Sequence, residues 1–525
     1  MSLRISHTNR TLVLAASALS VMLASCALPS PPPARTAPEG ATAQQPAAPA
    51  QPTRLVMRTL TDPDNLDPHL SAASLTQQIM LNVFEGLVKP APDGSVVPAI
   101  AESYTVSEDG LTYRFKLRPN VRFHNGQPLT AADVAYSLNR LMGKGTPDGK
   151  PLTASLNDVE RIETPDDSTC VITLKQVNAS FVNLLSTLAI VPAANDGKHD
   201  KEPIGTGPYR FVSYEPQQRI VLEKFADYWQ DTREMIDQVE FRIIKDDQTA
   251  LLQLQSGAID FTGVSAEQIE TLGNAFTIVS HPANSVFIMG MNHARPPFDK
   301  LEVRQAIYHA IDRDAIIKAV FDGYAVKLGS NMSPVMAKYY QDGLQDRYPY
   351  DPERAKALLA QAGYANGFTT TLSISSHADI YGRTAQLIVD QLARVGIQAT
   401  IETVEFGVWL ERIYTNREFE TTLIDFTGKM DPQAVLGRYT SDFRRNFINY
   451  KNPEYDKLIE QALRATDEKT QVERYKQAQK VLTEDVAAIF LLDYQFNWAM
   501  KPTIQGYTPY PIFFHDLSRL RLKAG

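Results

Sequence analysis

Hydrophobic and polar residues follow two periods along this chain. Tyr113-Arg114-Phe115-Lys116-Leu117 and Gln238-Val239-Glu240-Phe241-Arg242-Ile243-Ile244 alternate with period two, which predicts strands with one wet face. Thr169-Cys170-Val171-Ile172-Thr173-Leu174 reads as a further strand. Elsewhere the spacing is helical. Over 303–321, residues Val303, Ile307, Ala310, Ile311 and Ile317 fall along one face of a single predicted helix. Asp351 before Pro352 predicts an N-cap with Pro in the first turn, leading into a helix over 355–362 that Gly363 stops. Residues 455–486 read as two charged amphipathic helices with Asp467 as the cap between them, and Thr130 with Asp133 resembles a capping box. Strands and helices are mixed throughout, with no internal repeat. The pattern predicts an α/β fold with mixed sheets and more than one lobe.

The first 53 residues follow neither period. Arg4 and Arg10 precede an apolar run over 11–24, too short for an ordinary spanning helix and shaped like a secretory signal. Leu23-Ala24-Ser25-Cys26 closes that run and resembles a bacterial lipobox. The resemblance implies a signal peptide over 1–25, cleavage before Cys26 and diacylation of its thiol, which anchors stably where one acyl chain does not. An ordinary signal peptide that contains a Cys is the alternative. Residues 26–53 then give the lipidated Cys and a Pro/Ala-rich spacer that cannot form a core. The expected location is extracytoplasmic, in a periplasm or at a cell surface, tethered to membrane.

The rest of the 525 residues is long enough for several domains. A formal net charge of −8 argues against a nucleic-acid partner, which needs clustered cations. With Cys26 acylated, Cys170 is the one remaining cysteine and reads as a buried small apolar residue. The nine His show no close pair at metal-ligand spacing, and His124 reads as structural. Asp62, Asp64 and Asp67 imitate the start of a calcium loop, but Asp67 stands where Gly is needed and Ala73 where Glu is needed. Gly-x-Ser-x-Gly, His-Glu-x-x-His, Walker A and Cys-x-x-Cys signatures are absent from the sequence. The expectation is a protein that is not an enzyme and has no metal or cofactor.

Four segments carry a more specific signal. The first runs from Asp109-Gly110-Leu111-Thr112-Tyr113 through Phe123-His124-Asn125-Gly126 to Asp133-Val134. The second is Gly205-Thr206-Gly207-Pro208-Tyr209-Arg210-Phe211 with Asp227-Tyr228-Trp229 downstream. The third is Pro296-Pro297-Phe298-Asp299, then Val303-Arg304-Gln305-Ala306-Ile307 and Ala310-Ile311-Asp312-Arg313. The fourth is Leu392-Ala393-Arg394-Val395-Gly396-Ile397, followed by Asp431-Pro432 and Asn452-Pro453-Glu454-Tyr455-Asp456. In this order they resemble the family 5 solute-binding proteins of ABC importers, the dipeptide, oligopeptide and nickel type.

The resemblance implies a bilobed periplasmic-binding-protein fold (type II, cluster C-like) with mixed sheets and an extra subdomain on lobe I. Lobe I takes 54–91, 203–284 and 496–525, the subdomain 92–202, and lobe II 285–495. The chain crosses between lobes near 283–286 and again near 495–499. A monomer would capture a peptide or peptide-like solute in the cleft, close, and deliver it to permease subunits in the membrane.

The resemblance also exposes departures. Where the dipeptide type carries a carboxylate for the peptide's α-amino group, three residues before Asp431, this chain has Gly428, with Lys429 next to it. Where that type has an Arg for the ligand carboxylate, this chain has Ser375, with His377 and Arg383 nearby. A gap of a few residues would bring Asp425 or Arg383 into those roles. Without a facing acid, Lys429 favours an anionic or neutral ligand; the alternative is a lysine that points to solvent. Phe406 and Trp409 sit where the family places a cleft aromatic, although Trp409 suits a core equally well. The loop over 71–74, ending in Ser74, is the first-lobe segment that faces ligand in this family. The candidate ligand-binding residues are therefore Phe406, Trp409, Lys429, Asp431, Ser74 and Arg383, with Cys26 for lipidation. An opine-like, anionic or metal-chelate ligand is the second reading, and a hydrolase or surface chaperone on the same scaffold the third.

Overall fold

The computed structural model describes residues 52–71, 73–144, 149–153 and 155–523. The signal segment, Cys26 and the spacer up to Gln51 lie outside these residues. Among them, the framework is a twelve-stranded mixed sheet. Its path runs Ile397–Val404, Phe368–Ser375, Thr421–Thr427, Ser285–Met291, Ile489–Met500, Phe261–Gly263, Arg54–Thr59, Gln238–Ile243, Arg219–Lys224 and Tyr209–Glu215, with Thr277–Pro282 and Ala325–Lys327 as side branches.

Ile489–Met500 joins the two ends of that path. Its first half, through Tyr494, pairs antiparallel with Ser285–Met291 and Ala325–Lys327. From Gln495 onward it pairs with Thr277–Pro282 and Phe261–Gly263. The hydrophobic cores separate on either side of this strand. One draws its buried residues from 286–492, around Phe287, Ile307, Tyr381, Trp409 and Leu491. Another takes Leu55, Phe84, Tyr209, Phe241, Met500 and Leu517. A third lies within 87–190, under the four-stranded sheet Ala101–Val106, Thr112–Leu117, Thr169–Leu174, Val159–Asp166 and the helix Ala131–Leu141.

Local sequence signals account for many of the elements. Asp351 accepts from the Arg354 N–H at the start of Pro352–Gln361, and Asp467 accepts from the Thr470 N–H at the start of Glu468–Glu484. The helix expected over 303–321 is two helices, Leu301–Ala310 and Arg313–Phe321. Asp312 breaks it: the backbone is extended at Ile311 and Asp312, and the Asp312 side chain accepts from the Ala315 N–H at 2.9 Å as the N-cap of a second helix. The arginines of that segment are scaffold. The guanidinium of Arg304 donates to the carbonyls of Phe298, Asp299, Asp485 and Val486, and that of Arg313 to the carbonyls of Leu328 and Phe490. Buried cations are tolerated when such acceptors surround them.

His124 likewise serves the backbone. Its Nε2–H donates to the Gly207 carbonyl at 3.0 Å while Nδ1 accepts from the Gly205 N–H. Burial lowers its pKa to about 4, so the ring is neutral. Cys170 is fully buried and its thiol is pushed up to about 12. Glu85 is buried and accepts from two neighbours in the second motif segment, Tyr228 Oη at 2.7 Å and Trp229 Nε1 at 2.9 Å.

At the crossover between the two large cores, the Asp493 carboxylate is 0% exposed. Oδ1 accepts from the backbone N–H groups of Ala283 (3.1 Å) and Ser285 (3.0 Å), and Oδ2 from Ser333 Oγ (2.6 Å). Burial outweighs these bonds and raises its pKa to about 7. The folded state therefore holds a proton that the unfolded chain, with its carboxyl near ~3.9, releases at lower pH. This group's contribution to stability is greatest below the unfolded pKa and falls as pH rises toward 7. Urea titrations should show wild-type stability falling by about 2 kcal/mol relative to Asp493→Asn between pH 5 and pH 8. Parallel pH profiles would show that Asp493 is not the source.

Candidate ligand-binding site

Three walls enclose a cavity of about 480 Å³. The first wall is the loop that leaves strand Arg54–Thr59 and enters helix Ser74–Met80. Its polar residues fold it on itself. Ser71 Oγ and the Ala73 N–H both donate to Asp64, and the Asp64 N–H donates to Thr76 Oγ1. Asp67 is buried and takes a bidentate contact from Arg140, at 3.1 and 2.6 Å, which ties the loop to helix Ala131–Leu141. Arg140 Nη1 also donates to His69 Nδ1, and His69 Nε2–H donates to the Ala189 carbonyl at 2.9 Å. Burial, opposed by the Ala189 bond, lowers the His69 pKa to about 4. The imidazole therefore faces the cavity uncharged. Ser71, Ser74 and Gln77 continue this wall.

The second wall comes from the third core and presents Thr153, Ser155, Asn183, Ser186 and Thr187 between Leu141, Leu152 and Leu188. The third is the loop from strand Thr421–Thr427 to helix Pro432–Leu436, with Thr427, Gly428, Lys429, Met430 and Asp431 on the cavity. Asp431 caps the helix: Oδ1 accepts from the Gln433 N–H at 3.0 Å and Oδ2 from the Ala434 N–H at 3.2 Å. Burial raises its pKa to about 6 despite those bonds. Lys429 is exposed and has no hydrogen-bond or ion-pair partner among the described residues.

A second cavity of about 320 Å³ shares Phe513 with the first. It lies past the C-terminal end of Arg54–Thr59, between Thr59, Leu60, Gly263, Phe496, Asn497 and Trp498. Thr59 Oγ1 and Asn497 Oδ1 are buried there without a partner among the described residues. None of these residues was flagged by the sequence. The available signal was positional: ligand crevices open beyond the carboxyl ends of parallel strands, and Arg54–Thr59 pairs parallel with Gln238–Ile243 and with Phe261–Gly263.

Ser74, Lys429 and Asp431 thus meet on one cavity, whereas Phe406, Trp409 and Arg383 line neither. Trp409 is a core residue, 1% exposed, with Nε1 donating to Thr422 Oγ1 at 2.9 Å among Tyr414 and Phe447. Phe406 is 36% exposed and lies over His377 and the outer face of Trp409. Arg383 is on the outer side of helix Asp379–Ala393, where it donates to the Ala319 carbonyl at 2.8 Å. Asp425, considered above as an alternative anchor, accepts from the hydroxyls of Ser285, Tyr381 and Tyr494. Ser375 is buried against His377. No group of three or more His, Cys, Asp or Glu able to hold a metal ion occurs among the described residues.

Residues 95–447 match the family described as bacterial extracellular solute-binding proteins, family 5 Middle. A glutathione-binding protein GsiB of Pectobacterium atrosepticum is 33% identical over 473 residues, covering 85% of this chain and 90% of that one. Among solved structures, HbpA2 from Haemophilus parasuis superposes with a TM-score of 0.82 at 25% identity, covering 90% of this chain and all of that one. The periplasmic binding protein DppA from Helicobacter pylori in complex with peptide STSA superposes at 0.71 with 28% identity, over 90% of this chain and 98% of that one.

The burial of Trp409 changes what its removal should do. Trp409→Ala should cost about 3–5 kcal/mol of stability, whereas Phe406→Ala, on the surface, should stay within about 1 kcal/mol. Chemical unfolding of the two single variants measures both.

Proposed function

This chain belongs to the bacterial extracellular solute-binding proteins of family 5, and we propose that it captures a short peptide or peptide-like solute of net negative charge in this cleft and hands it to a membrane permease. One observation carries the choice of charge. Among the described residues, Lys429 is the charge on the cavity wall without a partner, while His69 is neutral and Asp431 is buried and accepts helix N–H groups on both oxygens. An ammonium meets only the buried, helix-capping Asp431 there, whereas a carboxylate has the exposed and unpaired Lys429. The hydroxyls and amides around it, among them Ser74, Asn183 and Thr187, suit a peptide's carbonyls and N–H groups. The glutathione-binding relative supports the same chemistry, since glutathione is a tripeptide with two carboxylates and one ammonium.

The two bodies on either side of strand Ile489–Met500 act as lobes, with the crossovers at Ala283–Ser285 and Tyr494–Gln495 as hinges. A solute that touches Ser74 on one lobe and Lys429 on the other gains both contacts only when the lobes close, which shifts the population to the closed form. Closure also removes water and strengthens each polar contact. The protein acts as a receptor and leaves its solute chemically unchanged. Cleavage before Cys26 and acylation of that residue hold it outside the cytoplasm near its permease; Cys26→Ser should move the protein from the membrane fraction to the soluble one.

Calorimetric titration of glutathione and of its diethyl ester tests the ligand class. Glutathione should bind, and at 100 times its Kd should stabilise the protein by about 2.7 kcal/mol. The ester should bind at least about tenfold more weakly, and Lys429→Gln should weaken glutathione by about tenfold, the loss of one charged hydrogen bond. Equal affinity for acid and ester would contradict an anion-selective cleft.

A further inference from the structure

Asn284 stands at the crossover behind the cleft. It is 2% exposed and holds φ at +55°, a left-handed conformation that Asn adopts more readily than most residues. Three sets of bonds fix it. Its Nδ2 donates to the Pro511 carbonyl at 2.7 Å, just before the cavity residues Ile512 and Phe513. Its own carbonyl accepts from the Gly428 N–H. The residues on either side, Ala283 and Ser285, both donate to Asp493.

Gly428 faces this amide so closely that a Cβ at 428 would overlap Oδ1, Cγ and Nδ2 of Asn284 together. A flexible side chain would swing aside. This one cannot move without dropping the Pro511 bond, and the backbone beneath it is clamped. The bare position lies in the loop that carries the exposed Lys429 and the helix-capping Asp431.

We propose that Asn284 is a specificity-determining residue of the cleft. By keeping position 428 free of any side chain, it withholds a carboxylate from the wall beside Lys429, and so directs the site toward an anionic group and away from an ammonium. The inference rests on the cleft being the solute site, as argued above.

Two measurements on the processed full chain test it. In the first, Gly428→Ala is made alone and together with Asn284→Gly, and urea midpoints are compared. Gly428→Ala should lower the midpoint clearly in the wild-type background and little when residue 284 lacks its amide; an equal loss in both backgrounds overturns the proposal, whatever the ligand. In the second, glutathione and its diethyl ester are titrated into the wild type and into Asn284→Gly/Gly428→Asp. The wild-type preference for the free acid should fall at least about tenfold in the double variant, because an acid now adjoins Lys429. An unmoved preference in a folded double variant also overturns it. Should the wild type bind neither compound, the peptide reading of the cleft fails, and the urea midpoints still decide whether Asn284 keeps position 428 bare.

Discussion

The bonds from Asp493 to the crossover backbone hold the two halves of this protein in register. Strand Ile489–Met500 belongs to both halves of the large sheet, and Asp493 lies just before its change of partners, from Ser285–Met291 to Thr277–Pro282. Where the partner strands hand over, the Ala283 N–H is shared between the Tyr494 carbonyl (2.9 Å) and Asp493 (3.1 Å), and the Ser285 N–H turns to Asp493. A buried N–H without an acceptor costs free energy comparable to a lost hydrogen bond. Asp493 supplies the acceptor for Ser285 and a second one for Ala283, and Ser333 donates to its other oxygen. The crossover is thus a defined bend with fixed bonds, placed between the two large cores.

From that bend the chemistry of the cleft follows. Asn284 lies between the two clamped residues and reaches forward to Pro511 on one side and Gly428 on the other. The loop beyond Gly428 then presents Lys429, while Asp431 turns back to cap its helix. On the opposite wall the Asp67–Arg140 pair is internally satisfied and leaves His69 neutral. Among the described residues, the cavity then presents hydroxyls, amides, the helix-capping Asp431 and one unpaired cation, Lys429.

How much of this could be read from residues alone depended on the range of the interactions. Caps at Asp351 and Asp467 are local contests between a side chain and the next turn, and they were legible. The single helix expected over 303–321 failed because an apolar stripe cannot reveal that Asp312 ends one helix and caps the start of another. In the site, Trp409 and Phe406 are three residues apart, yet one is interior and the other surface, a difference set by packing from Thr422, Tyr414 and Phe447. Arg383 is drawn away by a helix-end carbonyl. The bare position at 428 was visible in the sequence; its cause, Asn284, was not, because the two meet only through the fold. The second cavity at Phe496, Trp498 and Phe513 was missed for the same reason.

Small-angle X-ray scattering of the processed protein, with and without saturating glutathione, tests the central claim most directly. Closure of two lobes about the Asp493-clamped crossover predicts a smaller radius of gyration and a shorter maximum dimension in the bound state. Superimposable curves, recorded where calorimetry proves the site full, would contradict it.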